Sequence, residues 1–516
     1  MYRKLLVLMV CGLASQHLRA KGIEWLDGLQ YKAELQASLS DGHTPLWLNA
    51  NKFGLSSLSS SNGYVRAAVE RPLAVDSARK WGIGYGVDLA AAYNYTSSFI
   101  VQQAFAEVRW LKGVLTVGSK EWPMELKNNS LSSGSQTLGI NARPVPQARI
   151  ALPEYWDIPF TKGWVGIKGH VAFGRMTDDG WQHEFTSREK KYADDVRYHS
   201  KAGYLRIGNE SKGFPVVIEM GLEMASLFGG TMYRPDGEGG MEVFHGGTSL
   251  KDYWNVFIPG GAEANEDIYR NVAGDMLGSW VMRVSYDADK WRLGLYADHF
   301  FEDHSQMFFL DYNGYGQGDN WNVRQDNRYF LYYLKDIMLG AELNLKHGTL
   351  LRDIVFEYLY SKYQSGPVYH DRTQSMSEHI GGLDDYYNHS LYTGWQHWGQ
   401  VMGNPLYQSP IYNDDGTIGV KNNRFYAFPL GIGGRPLANL GYRLLLTWQE
   451  GLGTYRDPYT EPRHNTSFLV EATYDFKGKT LGGFGVTCGY GMDFGSILGN
   501  NYGFQLTVRK TGLLGL

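Results

Sequence analysis

Between Asp384 and Gly416 the chain reads DDYYNHSLYTGWQHWGQVMGNPLYQSPIYNDDG. Rings recur through it at Tyr386, Tyr387, Tyr392, Trp395, Trp398, Tyr407 and Tyr412, interleaved with Asp384, Asp385, Asn388, His389, Gln396, His397, Asn404 and Asn413. Flat apolar ring faces suit the C–H faces of sugars, and neighbouring polar groups can bond hydroxyls. Aromatic platforms with a few polar groups are the usual make-up of a binding site. The same rings could equally pack the loop onto itself. The stretch GTSLKDYWNVFIPGG at 247–261 adds Tyr253 and Trp254. The candidate polysaccharide contacts are therefore Tyr386, Tyr387, Tyr392, Trp395, His397, Trp398, Asn404, Tyr407, Tyr412, Tyr253 and Trp254.

Signals for other chemistry are weaker. Gly82, Gly84 and Gly86 have the spacing of a phosphate loop, but they lie inside a strand pattern and not between a strand and a helix. Ser187 and Lys190 match a nucleophile spacing within the charged run SREKKYADD. Asp298, His299, Glu302, Asp303 and His304 gather in DHFFEDH, where they could hold a divalent cation or form a solvated rim. No Gly-x-Ser-x-Gly occurs. The expectation is a binding protein, not an enzyme, with no catalytic residues, no metal ligands and no cofactor.

The elements that must carry these loops are strands. WGIGYGVDLAAAYNY, from Trp81 to Tyr95, sets Trp81, Ile83, Tyr85, Val87, Leu89, Ala91, Tyr93 and Tyr95 on one face. Gly82, Gly84, Gly86, Asp88, Ala90, Ala92 and Asn94 fall on the other. KWRLGLYADHF, GYRLLLTWQ, SFLVEATYDF and GFQLTVRK alternate in the same way. Fifteen residues exceed the about nine to eleven that a tilted strand needs to cross a bilayer. Rings near the ends of the apolar face, as at Trp81 and Tyr95 or Tyr442 and Trp448, fit two interfacial girdles. The glycine face would line a lumen crowded by something packed against it.

The first twenty residues, MYRKLLVLMVCGLASQHLRA, combine Arg3 and Lys4 with an apolar run from Leu5 to Ala14. They are read as a secretory signal peptide over 1–20, leaving Cys488 as the only cysteine of the mature chain. No later stretch holds eighteen consecutive apolar residues. With 14% aromatic residues, Gly 64, Tyr 36 and a net charge of −4 without a basic block, the composition favours an exported β protein and excludes a nucleic-acid partner. The class is an all-β transmembrane antiparallel β-barrel of about 18 strands, with its lumen occluded by inserted loops.

Strands are expected at 31–41, 44–53, 63–72, 81–95, 100–110, 113–119, 164–176, 201–209, 215–226, 278–287, 291–302, 338–347, 351–364, 422–430, 438–450, 465–477, 482–494 and 502–510. Residues 21–516 would form one barrel domain in the outer membrane of a Gram-negative bacterium. From a periplasmic N-terminus, the long loops 177–200, 227–277, 303–337, 365–421 and 451–464 would face the exterior. Segment 121–163 is long yet falls on the inner side, and is expected to plug or cap the periplasmic mouth. The other reading of that segment is a misplaced strand within it.

At the aromatic loop the chain resembles a known family. YTGWQHWGQVMGNPLYQSPIYNDDG, then NNRFYAF, resemble the capsule-assembly outer-membrane lectin family (the Wzi family), in the form seen in Bacteroidetes. Upstream, TLGINARPVPQARIALPEYWDIPF looks like the family's Asn-Ala-Arg-Pro-x-Pro segment, and FEYLYSKYQSGPVYHD resembles its Glu-Tyr…Gln-Ser-Gly-Pro stretch. The resemblance implies an occluded barrel that binds and anchors capsular or other exopolysaccharide at the cell surface. Its partners would be surface polysaccharide, outer-membrane lipid and components of an export or assembly machinery. Two departures stand out: there is no helical stretch comparable to the bundle of enterobacterial members, and the chain ends RKTGLLGL, without a terminal aromatic. The competing function is an outer-membrane porin or sugar-uptake channel, in which the same rings form an entry path. A barrel hydrolase with Ser, His and acid side chains at the rim is a third.

Overall fold

The structure, a computed structural model, describes residues 25–209, 212–258, 274–302, 314–315, 318–320, 322–325, 336–364, 368–370, 379–381 and 384–514. The leader expected at 1–20, and parts of the long segments 227–277, 303–337 and 365–421, lie outside the described residues.

An 18-stranded antiparallel sheet forms the body of the protein. Its strands are β1 Gln30–Asp41, β2 Ser61–Arg71, β3 Trp81–Tyr93, β4 Phe99–Trp110, β5 Gly113–Ser119 and β6 Gln147–Asp157. They continue as β7 Val165–Arg175, β8 Arg197–Ile207, β9 Val216–Phe228, β10 Asp275–Asp287, β11 Trp291–Glu302 and β12 Ile337–Leu345. The last are β13 Asp353–Tyr360, β14 Phe425–Leu437, β15 Leu440–Gly453, β16 Pro458–Asp475, β17 Phe484–Gly495 and β18 Asn501–Leu513. Each pairs with its sequence neighbours, and β1 pairs with both β2 and β18, with Gln30 opposite Leu513 and Asp41 opposite Tyr502. The sheet is thus a closed barrel with no open edge. Among the described residues no helix is long and apolar enough to cross a membrane.

The alternation read from the sequence divides the wall into two faces. Leu35, Val65, Val87, Val101, Ile150, Leu295 and Leu339 are exposed outward. Gln36, Arg66, Asp88, Glu223, Asp298, Glu357 and Thr447 are buried inward. An exposed aliphatic belt around a polar interior is the inverse of a water-soluble sandwich and the signature of a sheet solvated by lipid. Rings cluster at its borders. Trp81 pairs with Trp110, and Tyr286 lies 5.5 Å from Trp291, at the end with short turns. Phe494 and Tyr502 meet edge to face at 5.4 Å at the other end.

The glycine face of β3 does point inward, and neighbouring residues crowd it. A Cβ at Gly84 would stand 2.6 Å from Glu107 Oε1, and one at Gly86 would stand 2.7 Å from the Phe105 ring. Loops press on glycines elsewhere: Leu48 covers Gly489 and Gly491, and Leu131 covers Gly431.

Two expected elements are corrected. Residues 44–53 are not a strand; Leu46–Asn49 is a short helix whose residues are all buried, because the loop between β1 and β2 folds into the lumen. Segment 121–163 does contain a strand, β6. Ile150 is 67% exposed on the lipid side and Arg149 lines the interior. Pro153 had disguised this strand; it falls where the β6–β7 register shifts between Leu152 and Trp156, a position that tolerates a residue without an N–H. One strand too many and one too few left the total unchanged but reversed the direction of every strand between them. The connection 120–146 therefore leaves the barrel at the same end as 176–196, 229–274, 303–336 and 361–424, not at the short-turn mouth. The expected loop 451–464 is also shorter. Pairing of β15 with β16 continues through Gly451 and Arg463, and only 454–457 connects them.

Val87 sits near mid-height of β3 on the lipid face. Val87→Arg should cost roughly 2–4 kcal/mol of barrel stability, measured by denaturant unfolding from lipid vesicles.

Candidate functional site

Three connections from the long-loop end enter the barrel and interlock. The 120–146 segment goes deepest. Lys127 Nζ reaches Asp298 Oδ2 of β11 at 2.7 Å, and Arg443 Nη1 of β15 donates to Ser130 O at 3.0 Å. Ser133 N–H donates to Glu357 Oε2 of β13 at 2.8 Å, while Ser132 and Tyr296 hydroxyls also donate to that carboxylate. Ser135 and Tyr204 hydroxyls donate to Glu223 of β9. A lone carboxylate at bilayer depth is costly unless bonded. Here three inward carboxylates become the pegs on which the plug hangs. Lys127 and Asp298 side chains are 1% and 0% exposed. Burial works against the charge of Lys127, but Asp298, Glu223 and Glu357 raise its pKa above the ordinary lysine value.

The aromatic loop sits directly on this plug. Trp395 Nε1 donates to Thr137 O at 3.0 Å, Tyr407 Oη to Gln136 Oε1 at 3.0 Å, and Tyr387 Oη to Gln136 O. Asn404 Nδ2 donates to Gly134 O at 3.0 Å, and Gly139 N–H to Met402 O at 3.0 Å. The rings then stack among themselves and the wall. Tyr387 and Tyr407 centroids are 4.2 Å apart, Phe300 lies 4.6 Å from Tyr386, and Tyr407 lies 4.9 Å from Phe425. The third loop closes the group. The Leu46 N–H donates to Asp493 Oδ2 at 3.0 Å, and Phe53 N–H to Ile140 O at 2.7 Å. Leu46, Trp47, Leu48, Leu131, Val145, Tyr386, Tyr387, Trp395 and Tyr407 join inward residues Leu227, Leu277, Phe300, Leu359, Phe425 and Leu445 in one apolar core.

This placement corrects the expected binding surface. Tyr386, Tyr387, Tyr392, Trp395 and Tyr407 are 0–1% exposed, and His397 and Asn404 are buried with them. Closed ring faces cannot receive a polysaccharide from outside; these residues weld the loop to the plug. Trp398 and Tyr412 keep part of their surface, and Arg143 lies 4.2 Å over the Trp398 ring. Tyr253 is half-buried and Trp254 is 60% exposed, on a helix outside the barrel wall. The acidic gathering at 298–304 also disperses. Asp298 and Glu302 face inward and His299 does not, while Asp303 and His304 lie outside the described residues. Among the described residues no cluster of three His, Cys, Asp or Glu could hold a metal. The sequence does not single out the pegs Glu223 and Glu357 or the plug residues that bond them, and it offers Asp298 only as a cation ligand or rim residue. Their signal is an acidic residue on the inward face of each of VIEMGLEM, LYADHFF and IVFEYLY, at Glu223, Asp298 and Glu357, a place where an unpaired charge does not survive.

Beside the plug and toward the short-turn end the interior is less filled. A cavity of about 430 Å³ is roofed by Phe53, Thr137, Leu138, Trp395 and Met402, and its walls include Trp122, Gln147, Arg149, His170, Tyr198, Tyr204 and Glu223. Arg149 lies 4.0 Å over the Trp122 ring. Glu70, Pro72 and Leu73 bound it at the short-turn end. A second cavity of about 340 Å³ beneath Ser130 and Leu131 is lined by the ion pairs Arg443–Glu471 at 2.7 Å and Arg509–Asp475 at 2.6 Å. The loops therefore pack together in the long-loop half, while cavities remain along the β6–β9 wall and toward the short-turn end.

A closed sheet with a lipid-facing belt and a plugged lumen defines a transmembrane β-barrel of the outer-membrane type. No protein-family model matches the chain. No curated protein sequence matches it either. Among solved structures it is similar to Wzi of Escherichia coli, an outer membrane protein involved in group 1 capsule assembly and described as a carbohydrate-binding β-barrel. The TM-score is 0.55 at 11% sequence identity, covering 94% of this chain and 85% of that one. It is also similar to OprD of Pseudomonas aeruginosa, with TM-score 0.44 and 10% identity over 96% of this chain and 98% of that one. OccAB4 of Acinetobacter baumannii gives 0.45 and 10% over 95% and 100%. At these identities the likeness is one of fold.

Two predictions test the weld. Lys127→Met leaves the Asp298 carboxylate buried without its cation and should cost about 3–5 kcal/mol, with proteolysis of 120–146 accelerated. Adding Asp298→Asn should recover most of that loss. The second concerns protons. Burial lowers the pKa of His389 to about 3 and of His397 to about 4. His397 Nδ1–H donates to Arg143 O at 2.8 Å, and His389 Nδ1 accepts the Leu391 N–H at 3.0 Å, so both are neutral when docked. The undocked loop binds more protons below pH 6.5. Docking is therefore fully stable above pH 6.5 and weakens as pH falls toward 4. His389→Asn keeps an acceptor near the Leu391 N–H and removes one titration, so its thermal midpoint should fall less steeply over that window than the parent's.

Proposed function

We propose that this barrel binds and anchors capsular or other exopolysaccharide at the cell surface, and that it is a binding protein, not an enzyme. The observation that carries this reading is the apolar core across the lumen. A channel for polar solutes needs a wet path, and an interior welded by Trp395, Tyr387, Tyr407, Leu48 and Leu131 serves rigidity instead. A rigid, lipid-held platform suits anchoring. The fold likeness to the E. coli capsule-assembly barrel supports the reading, as does the resemblance of YTGWQHWGQVMGNPLYQSPIYNDDG and NNRFYAF to the Wzi family. In this reading the long-loop end faces outward, and Trp398 and Tyr412 are the rings of the aromatic loop left for a sugar.

The test has two arms. In planar bilayers the purified protein should show no steady open-channel steps. In the native cell, its deletion should shift polysaccharide from the cell-attached to the released fraction, and Trp398→Ala with Tyr412→Ala should reproduce part of that shift. Large stable conductance with unchanged polysaccharide attachment would contradict the proposal and favour a porin.

A further inference from the structure

The connection between β9 and β10 carries a helix, Leu250–Phe257, that lies outside the barrel. Strand alternation shows this. His170, Tyr198, Ser200 and Glu223 line the lumenal cavity, so Phe173, His199, Lys201 and Phe228, each an odd number of residues away on the same strands, face the opposite side. The helix packs on that outward face. Tyr253 lies 5.3 Å from Phe173 and 5.0 Å from Phe228, and Phe257 lies 6.1 Å from His199.

Its two ends are both secured. Ser249 and Asp252 form a capping box at the N-terminus. At the C-terminus Lys201 Nζ donates to Val256 O at 3.2 Å and to Phe257 O. Lys201 is the fifth residue of β8 from the long-loop end, where an outward lysine would otherwise meet lipid at a cost. The last carbonyls of the helix take up its charge, an arrangement favoured by the helix dipole. The helix therefore covers the wall at the border of the hydrocarbon.

The helix is polar on the side opposite the wall, at Lys251, Asp252 and Asn255, and apolar along the flank between the two. Leu250, Trp254 and Ile258 recur every four residues and are 90%, 60% and 48% exposed. The stripe continues the lipid-facing belt, represented lower on the strands beneath it by Ile207 and Met220. An amphipathic helix with a tryptophan at this level is built to lie in the headgroup–acyl boundary. We propose that Leu250–Phe257 is an interfacial anchor seated in the bilayer leaflet at the long-loop end, with Leu250, Trp254 and Ile258 in contact with lipid. The proposal is independent of the polysaccharide reading, and it removes Trp254 from the sugar-binding candidates.

The test is site-directed spin labelling in phosphatidylcholine–phosphatidylglycerol vesicles. A Cys488→Ser background receives one cysteine at a time: Trp254→Cys, Leu250→Cys, Val101→Cys on the barrel's lipid face, and Glu238→Cys on an exposed hairpin. Power saturation with oxygen and with a water-soluble nickel chelate reads the environment, and heat-modifiable mobility confirms that each barrel is folded. Labels at 250 and 254 should favour oxygen over nickel, as at 101. Nickel accessibility matching position 238 would overturn the proposal. Low accessibility to both reagents would also overturn it, because that result places protein on this face.

Discussion

A backbone amide in hydrocarbon has no water to bond, so every strand of this sheet needs a partner along both edges. The pairing of β1 with β18 meets that demand and turns the sheet into a barrel. Once closure is imposed, each strand has one face to lipid and one to a lumen, and residue alternation becomes a choice between two solvents. Val65, Val87 and Leu295 go one way; Arg66, Asp88 and Asp298 go the other.

The lumen of so wide a barrel then sets its own problem. Left empty it would be a water-filled pore. Here it is divided by depth. The long-loop half is closed by three loops that share one apolar core, and the inward carboxylates Glu223, Asp298 and Glu357 fix the deepest loop in register with the wall. The short-turn half keeps ion pairs and cavities. Glycines on β14 and β17 record the contact, since a Cβ at Gly431 would stand 2.4 Å from Leu131 O and one at Gly491 would stand 2.9 Å from Leu48 Cγ.

The wall was largely legible in the sequence, because period-two alternation over more than ten residues has few other meanings. Trp81–Tyr93, Trp291–Glu302 and Asn501–Leu513 stand where the pattern places them. What failed was local. Thr44–Phe53 is apolar because it is buried in the lumen, and apolarity alone does not separate a buried loop from a strand. Pro153 hid β6, although Ile150 and Arg149 carry the two-face pattern. The aromatic loop was found but misassigned. A ring platform and a ring core have the same composition, and only the partners decide. Those partners, Gln136 and Thr137, are unremarkable in sequence and become decisive once the plug brings them to Tyr387, Tyr407 and Trp395.

The central claim is that plug and aromatic loop are folded as one unit within the long-loop half of the lumen. Hydrogen exchange resolved to single amides, on the protein in lipid nanodiscs, tests it most directly. The amides of Gln136, Gly139, Trp395 and Asn404 should exchange as slowly as those of the strand residues Leu445 and Leu469. Exchange at these four positions as fast as in the turn at 476–483 would mean that the loops do not stay docked, and would contradict the account.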